Sequence, residues 1–282
     1  MEKTSRVVSP PFLRIPAEIR VAIYKLLLTN TRDKTLRVYI ESPSEYAKRN
    51  NGRRQRQRFR HMADRMRSQS AESTYTVNTR EYRDFKELHL GILGVNRQIH
   101  AEGSYILYSE HLLDFEVNVA SIVPFLQDRT SQSLSSIKHM RIVKSSHPCT
   151  KDFDRCEWRR ACKFLAESMK SKKMQLIQLD LGVVGGTQWL GGRPVKNWKP
   201  SDVLTSHDFS ILTNQKDMDE DMDWIQYVSE IKGLQVLNVQ STYADVPIQE
   251  PEEKMEFFLN FSASIEKGLA EYLRSVMLVE AS

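Results

Sequence analysis

Three short segments in the second half of the chain repeat one apolar pattern, and each of them follows a segment with helical character. The segments are Ile137-x-x-Met140-x-Ile142, Leu176-x-x-Leu179-x-Leu181 and Leu234-x-x-Leu237-x-Val239. The pattern L-x-x-L-x-L is typical of the strands of leucine-rich repeats. A helix followed by a strand, three times over, predicts parallel strands that lie side by side. We therefore predict an α/β fold with a mainly parallel sheet.

The repeats are irregular. The segments begin 39 and 58 residues apart, and Ser145, Val184 and Thr242 stand where leucine-rich repeats carry Asn. We expect an irregular, leucine-rich-repeat-like α/β region whose strands bury Met140, Ile142, Leu179, Leu181 and Leu237.

The first helix is indicated by Pro16 at its start, by Glu18 in its first turn, and by a set of apolar residues that share one face. These residues are Ile19, Ile23, Leu26 and Leu27. A short strand is predicted over residues 35–41, where apolar and more polar residues alternate. Each of these elements comes before the first of the three repeated segments.

A second helix is predicted where apolar residues recur at helical spacing: Leu88, Ile92, Val95, Ile99 and Ile106. Gly103 would let a neighbouring element approach this helix closely. Leu113, Phe115 and Val117 then alternate as in a strand. A long helix over residues 251–278 closes the chain, and its opening acids suit a helix N-terminus.

Two motifs in these helices resemble those of a fungal F-box-like family. The first is Ile15-Pro16-Ala17-Glu18-Ile19-Arg20, with Ile23-Tyr24 and Leu27-Leu28 after it. The second is Leu93-Gly94-Val95-Asn96-Arg97-Gln98-Ile99-His100-Ala101-Glu102, with Leu107-Tyr108 and Phe115 after it; Asn96 stands where the family has Cys. The resemblance covers residues 12–117 without the segment between the motifs.

The resemblance implies an interaction module. An F-box docks on the Skp adaptor of a cullin-type ubiquitin ligase, and the region beyond it selects substrates. The implied partner-binding residues are Ile15, Pro16, Glu18, Ile19, Arg20 and Ile23. Of these, we expect Ile15 and Pro16 to form the exposed docking edge and Ile19 and Ile23 to be internal. The implied organisation is an F-box-like helix and strand (12–41), a basic flexible insertion (42–84), and a second F-box-like helix with the irregular α/β region (85–282).

A zinc deaminase is the first enzyme class to test, because its signature contains His-x-Glu and a later Pro-Cys-x-x-Cys. His100 and Glu102 match the first part, and Pro148-Cys149 begins the second. Asp152 stands at the place of the second Cys, and Glu102 belongs to the F-box-like motif. A zinc-dependent deaminase or hydrolase is therefore only the third hypothesis.

A structural zinc site built from His147, Cys149, Cys156 and Cys162 is disfavoured, because none of its intervals is the Cys-x₂₋₄-Cys spacing of known sites. We expect buried thiols without a metal. We find no catalytic motif elsewhere, so we predict a protein that is not an enzyme and that uses no metal or cofactor.

The positive charge of the chain is concentrated in one segment. Residues 48–67 contain nine Lys or Arg and one acid, whereas the net charge of the whole chain is +5. This basic patch, which includes Arg53, Arg54, Arg56, Arg58 and Arg60, is consistent with a solvated arm, a nuclear import signal or a nucleic-acid contact. The chain has no apolar run of membrane-spanning length and no apolar leader segment, so we expect no membrane partner and a cytoplasmic or nuclear location.

Our leading hypothesis is thus a non-enzymatic protein-recognition module, an F-box-like substrate adaptor whose partners are the Skp adaptor and a ubiquitylation substrate. The alternative is a nuclear, nucleic-acid-associated or regulatory protein that acts through the basic insertion.

Overall fold

A computed structural model describes residues 10–29, 34–41, 74–79, 88–144, 155–185, 189–190, 193–194, 203–214, 222–242 and 252–279. The main sheet has six strands in the order β2-β1-β3-β4-β5-β8. These strands are β1 (Thr35–Glu41), β2 (Thr74–Thr79), β3 (Leu112–Asp114), β4 (His139–Lys144), β5 (Gln178–Val184) and β8 (Val236–Thr242). A separate small hairpin pairs β6 (Trp189–Leu190) with β7 (Arg193–Pro194).

Five of the six strands of the main sheet run parallel, and only β2 pairs antiparallel, with β1. The predicted α/β class with a mainly parallel sheet is therefore confirmed. The helices that accompany the strands are α1 (Ala17–Leu28), α2 (Arg97–Glu110), α3 (Ile122–Gln127), α4 (Ser131–Ser136), α5 (Arg155–Lys170), α6 (Ser206–Asn214), α7 (Trp224–Ser229), α8 (Glu252–Ser264) and α9 (Ala270–Met277).

The three repeated segments are adjacent parallel strands, as predicted. Met140 of β4 is in register with Leu179 of β5, which is in register with Leu237 of β8. Two residues further along each strand, Ile142, Leu181 and Val239 are in register in the same way. All six of these side chains are buried.

The parallel strands follow one another across the sheet in chain order. Because connections between parallel strands are right-handed, a sheet ordered in this way carries its connecting helices on one face. The buried rows of β4, β5 and β8 form the core against these helices, together with Trp158 of α5 and Trp224 of α7. The two indole rings lie 6.1 Å apart between centroids. The core therefore lies on one side of the sheet.

The strand β2 was missed by the sequence analysis, which placed residues 74–79 in the flexible insertion. Tyr75 and Val77 alternate with Thr residues, a pattern that suits a strand. The predicted strand after α2 is also shorter than expected. It ends at Asp114, because Glu116 takes a left-handed backbone conformation with φ of 44°, and Val117 is exposed instead of buried.

The closing helix was predicted correctly but is not a regular α-helix throughout. A π-helical turn, Ile265–Leu269, separates α8 from α9. Within this turn Gly268 packs directly on the backbone carbonyl of Leu204. No helix in the parts of the chain that the structure describes is long and apolar enough to cross a membrane.

Candidate partner-binding surface

An ion pair joins α1 to α2, the two helices whose sequences carry the motifs described above. Arg20 of α1 donates to Glu102 of α2 through Nε, at 2.9 Å from Oε2, and through Nη2, at 2.7 Å from Oε1. Two parallel hydrogen bonds of this kind fix both distance and orientation. The Tyr24 hydroxyl donates to the same carboxylate at 2.9 Å, and so does the amide of Gln98. Arg20 and Tyr24 of α1 therefore bind Glu102 of α2 and hold the two helices together.

The charges at this contact alter the pKa values of the groups involved. The Arg20 hydrogen bonds hold the pKa of Glu102 at about 2, well below its usual value of 4.5. Burial, and next the hydrogen bond to Glu102, raise the pKa of Tyr24 to about 12. Glu102 is thus a carboxylate and Tyr24 a neutral donor across the physiological range.

Asn96 and Gly103 have structural roles in α2. The Asn96 side chain accepts a hydrogen bond from the backbone N–H of Ile99 at 2.9 Å and so caps the helix. A Cβ atom at Gly103 would lie 2.6 Å from Leu93 Cδ2 and 3.4 Å from Leu28 Cδ1. The predicted close approach at Gly103 is therefore confirmed, and α1 is one of the elements that pack there.

Only part of the predicted apolar face of α1 lies towards the interior, since Ile23 and Leu27 are half-buried. The buried residues of the helix are Arg20, Tyr24 and Leu28, whereas Ile19 is 52% exposed and Leu26 is 67% exposed. The expectation that Ile19 is internal is wrong. Arg20 and Tyr24 turn inwards because their polar groups bind Glu102, and this rotates the apolar residue Ile19 towards solvent.

The other predicted docking residues are distributed around the start of α1. Pro16 and Glu18 are exposed, while Ile15 and Ile23 are half-buried. Arg20 is buried, and its Nη1 also donates to the backbone oxygen of Ile15 at 2.6 Å. Arg20 therefore lies inside the molecule, contrary to its predicted role as a contact residue.

Two further exposed apolar residues lie in the turn before α2, which contacts the end of α1. The His89 N–H donates to the Leu27 carbonyl oxygen at 3.2 Å, which places this turn against the end of α1. Leu90 and Val95, at either end of the turn, are both exposed. We call Ile19, Leu26, Leu90 and Val95 the apolar docking face. Leu26, Leu90 and Val95 are not among the docking residues predicted from the sequence, where the apolar spacing of Leu26 and Val95 was used only to predict helix faces.

His100 and Glu102, the first part of the deaminase signature, each bind another group of the protein. His100 Nδ1 lies 3.1 Å from the backbone oxygen of Leu93, while Glu102 is bound by Arg20. Among the residues that the structure describes, no three His, Cys, Asp or Glu side chains are grouped as a metal site would require. Cys149, His147 and Pro148 lie outside those residues.

The two described cysteines differ in exposure, which corrects the expectation that both are buried. Cys156 is exposed near the start of α5, and Cys162 is buried in its middle. Burial raises the pKa of the Cys162 thiol above its ordinary range, and thiols react as thiolates. We expect iodoacetamide at pH 8 to modify Cys156 and to leave Cys162 intact until the protein is denatured, as measured by peptide mass mapping. Equal labelling of both residues in the native protein would contradict this assignment.

A row of polar side chains crosses the sheet on the face opposite to the buried rows. The strand register joins Arg37, Asp114, Arg141, Asp180 and Asn238 across five strands. Asp180 accepts a hydrogen bond from Asn238 Nδ2 at 2.8 Å, and Arg37 pairs with Glu116 at 2.6 Å. Asp114 is fully buried, and its Oδ2 has no hydrogen-bond partner among the residues that the structure describes. The row therefore mixes partnered and unpartnered polar groups.

The predicted basic patch, Arg53, Arg54, Arg56, Arg58 and Arg60, lies outside the residues that the structure describes. Comparisons with models of known protein families, with curated proteins and with solved structures find no match to this chain.

Proposed function

We propose that this protein is a non-enzymatic recognition protein. Its apolar docking face, on α1 and on the turn before α2, binds a partner in the manner of an F-box-like adaptor. One observation carries the proposal: Ile19 and Leu26 are exposed on a helix that is fixed from its other side by Arg20 and Tyr24. Exposed apolar side chains on a rigid element are typical of the anchors of protein interfaces.

The resemblance of the two motifs to the F-box-like family supports the Skp adaptor of a cullin-type ubiquitin ligase as the partner. In this role the α/β region recognises the protein to be ubiquitylated, and the chain itself carries out no chemistry. The cytoplasm and the nucleus are the compartments proposed for such an adaptor.

The proposal predicts that purified protein forms a complex with the Skp adaptor at micromolar concentration, measured by calorimetry or size-exclusion chromatography. Ile19→Asp with Leu26→Asp should weaken binding by at least about tenfold, because a buried charge at an interface core is strongly unfavourable. Both side chains are exposed in the free protein, so the melting temperature should change little.

Ile211→Asp with Val203→Asp is the matched control, because Ile211 lies on α6 and Val203 shortly before it, and the two are 44% and 43% exposed. This variant should bind the Skp adaptor as well as the wild-type protein does. Absence of a complex with the wild-type protein would exclude the adaptor function. Equal weakening by both sets of substitutions would exclude the apolar docking face as the contact.

The second candidate function is nuclear and involves nucleic acid. It is favoured by the nine Lys or Arg residues within residues 48–67, because clustered basic residues bind phosphate backbones in a salt-dependent manner. Affinity purification of the full-length chain from a cell extract separates the two proposals. The second predicts that nucleic acid, instead of the Skp adaptor, accompanies the protein.

A further inference from the structure

A cleft of about 810 Å³ lies between α5 and α7, away from the apolar docking face. One wall is a stripe of α5, with residues 159, 163, 166, 167 and 170 at helical spacing. The other wall comes from α7 and from the connection between α7 and β8. Grooves between two packed helices are a common place for a short peptide segment to bind.

The floor of the cleft is apolar and contains one fixed aromatic ring. Met169, Ala166 and Tyr227 are half-buried there. The Tyr227 hydroxyl donates to Asp223 Oδ2 at 2.9 Å, and the Arg159 guanidinium lies 5.7 Å from the centre of the ring. Because the ring is held at both its hydroxyl and its face, it offers a rigid apolar contact at small entropic cost.

The rim of the cleft is charged, and cations predominate. Four exposed cationic side chains line it, namely Arg159, Lys163, Lys170 and Lys232, against only two exposed acids, Glu167 and Glu230. The closest approach of Lys163 to Glu167 is 4.0 Å between two well-exposed side chains, so water screens this pair strongly. Unlike the polar row on the sheet, the rim has an excess of positive charge.

We propose that this cleft binds a short acidic peptide segment of a partner protein, with an apolar side chain of the segment against Tyr227 and Met169. The rim cations attract carboxylates spaced along the segment, and the floor accepts the side chain between them. A peptide can bind both the rim cations and the apolar floor, whereas a simple anion can bind only the rim cations. The cleft therefore favours a peptide. The inference rests on the proposed recognition function, for which it identifies the substrate class, but it does not depend on docking to the Skp adaptor.

The test is a selection from a random twelve-residue peptide library on the immobilised full-length chain. The cleft variant Arg159→Glu with Lys170→Glu serves as the competing target. The matched control is Lys172→Glu with Lys173→Glu, because both of these lysines are exposed just beyond α5, do not line the cleft, and change the net charge equally. Thermal unfolding of each variant verifies that it is folded.

We expect the enriched peptides to combine two or more acidic residues with an aliphatic or aromatic residue. Their dissociation constants, measured by fluorescence polarisation, should rise by about tenfold or more in the cleft variant and by less than about threefold in the control. Selected peptides without acidic residues would overturn the proposal. Equal losses of affinity in the two variants would also overturn it. They would indicate that the acidic peptides respond to the net charge of the protein and not to the cleft.

The Ile19→Asp, Leu26→Asp variant separates this inference from the adaptor function. It should retain the acidic peptide while it loses the Skp adaptor. Peptide binding without any Skp complex would refute the adaptor function alone, and a Skp complex without cleft-dependent peptide binding would refute the cleft alone.

Discussion

Replacing Glu102 by Ala should lower the free energy of unfolding by about 2 kcal/mol at pH 7, between the values for exposed and for fully buried ion pairs, because the side chains of Arg20 and Glu102 are 10% and 27% exposed. The substitution leaves Arg20 buried without its carboxylate and also removes the acceptor of the Tyr24 hydroxyl. Urea unfolding followed by circular dichroism measures the change. A loss below about 0.5 kcal/mol would contradict the role of this pair in fastening α1 to α2.

Glu110→Ala is the matched control on the same helix. Glu110 also binds two cations, Lys25 at 3.3 Å and Lys34 at 3.0 Å, but both lysine side chains are more than half exposed. Exposed ion pairs contribute about 0–1 kcal/mol. The control should therefore unfold almost as the wild-type protein does.

The contribution of Glu102 should depend on pH in a defined window. Because the folded protein holds the pKa of Glu102 near 2 instead of 4.5, its stabilising effect is complete above pH 4.5 and is lost as the pH falls towards 2. The stability difference between the wild-type protein and Glu102→Gln should shrink across this range. A constant difference down to pH 2 would mean that the charge of Glu102 is not the source of its effect.

Gly268→Ala should destabilise the protein by about 3 kcal/mol or more, because a core without space for an added methyl group must shift its backbone. The new Cβ would collide with the carbonyl oxygen of Leu204 and lie 3.0 Å from the carbonyl carbon of Thr205. Neither group can turn away as a flexible side chain does. Thermal unfolding of the purified variant measures the effect.

Gly91→Ala provides the comparison for this substitution. An added Cβ at Gly91 would meet no atom within 4 Å, so the stability should be unchanged or slightly raised through the less flexible unfolded chain. If Gly268→Ala proved as stable as Gly91→Ala, the close packing of the π-helical turn on Leu204 would be refuted.

The parallel strands were predictable from sequence because their pattern is local. In each of β4, β5 and β8, two apolar residues with one residue between them place both side chains on the same face of the strand. The burial of these side chains follows from this local pattern, and the adjacency of the three strands follows from the rule that consecutive strand–helix–strand units are usually neighbours. Where a local conformation breaks the pattern, as at Glu116, the prediction fails: the strand predicted to reach Val117 ends three residues earlier, at Asp114.

The orientation of α1 was not predictable in the same way. Apolar spacing favours Ile19 as an internal residue, and only the partner of Arg20 reverses this choice. That partner, Glu102, lies 82 residues away in the chain, and each motif viewed separately gives no reason to join them. The available signal was the opposite charge of Arg20 and Glu102, one in each of the two motifs.

The cleft illustrates a second limit of sequence analysis. Residues of α5 and residues near α7 line it together, although more than fifty positions separate them. Their charges look ordinary within each helix, since solvent-exposed helix faces are commonly charged. Only the packing of the two helices creates an excess of cations around an aromatic floor.

The pairing of β1 with β2 has a consequence for the length of the chain between them. Glu41, the last residue of β1, is paired with Thr74, the first residue of β2, so the chain leaves and re-enters the sheet at one point. The entropy lost on closing such a loop grows only with the logarithm of its length, and doubling the loop costs about 0.6 kcal/mol. The entropy of loop closure therefore sets little limit on how much chain can stand between Glu41 and Thr74, and we expect a reporter domain inserted there to cost the sheet little through this term.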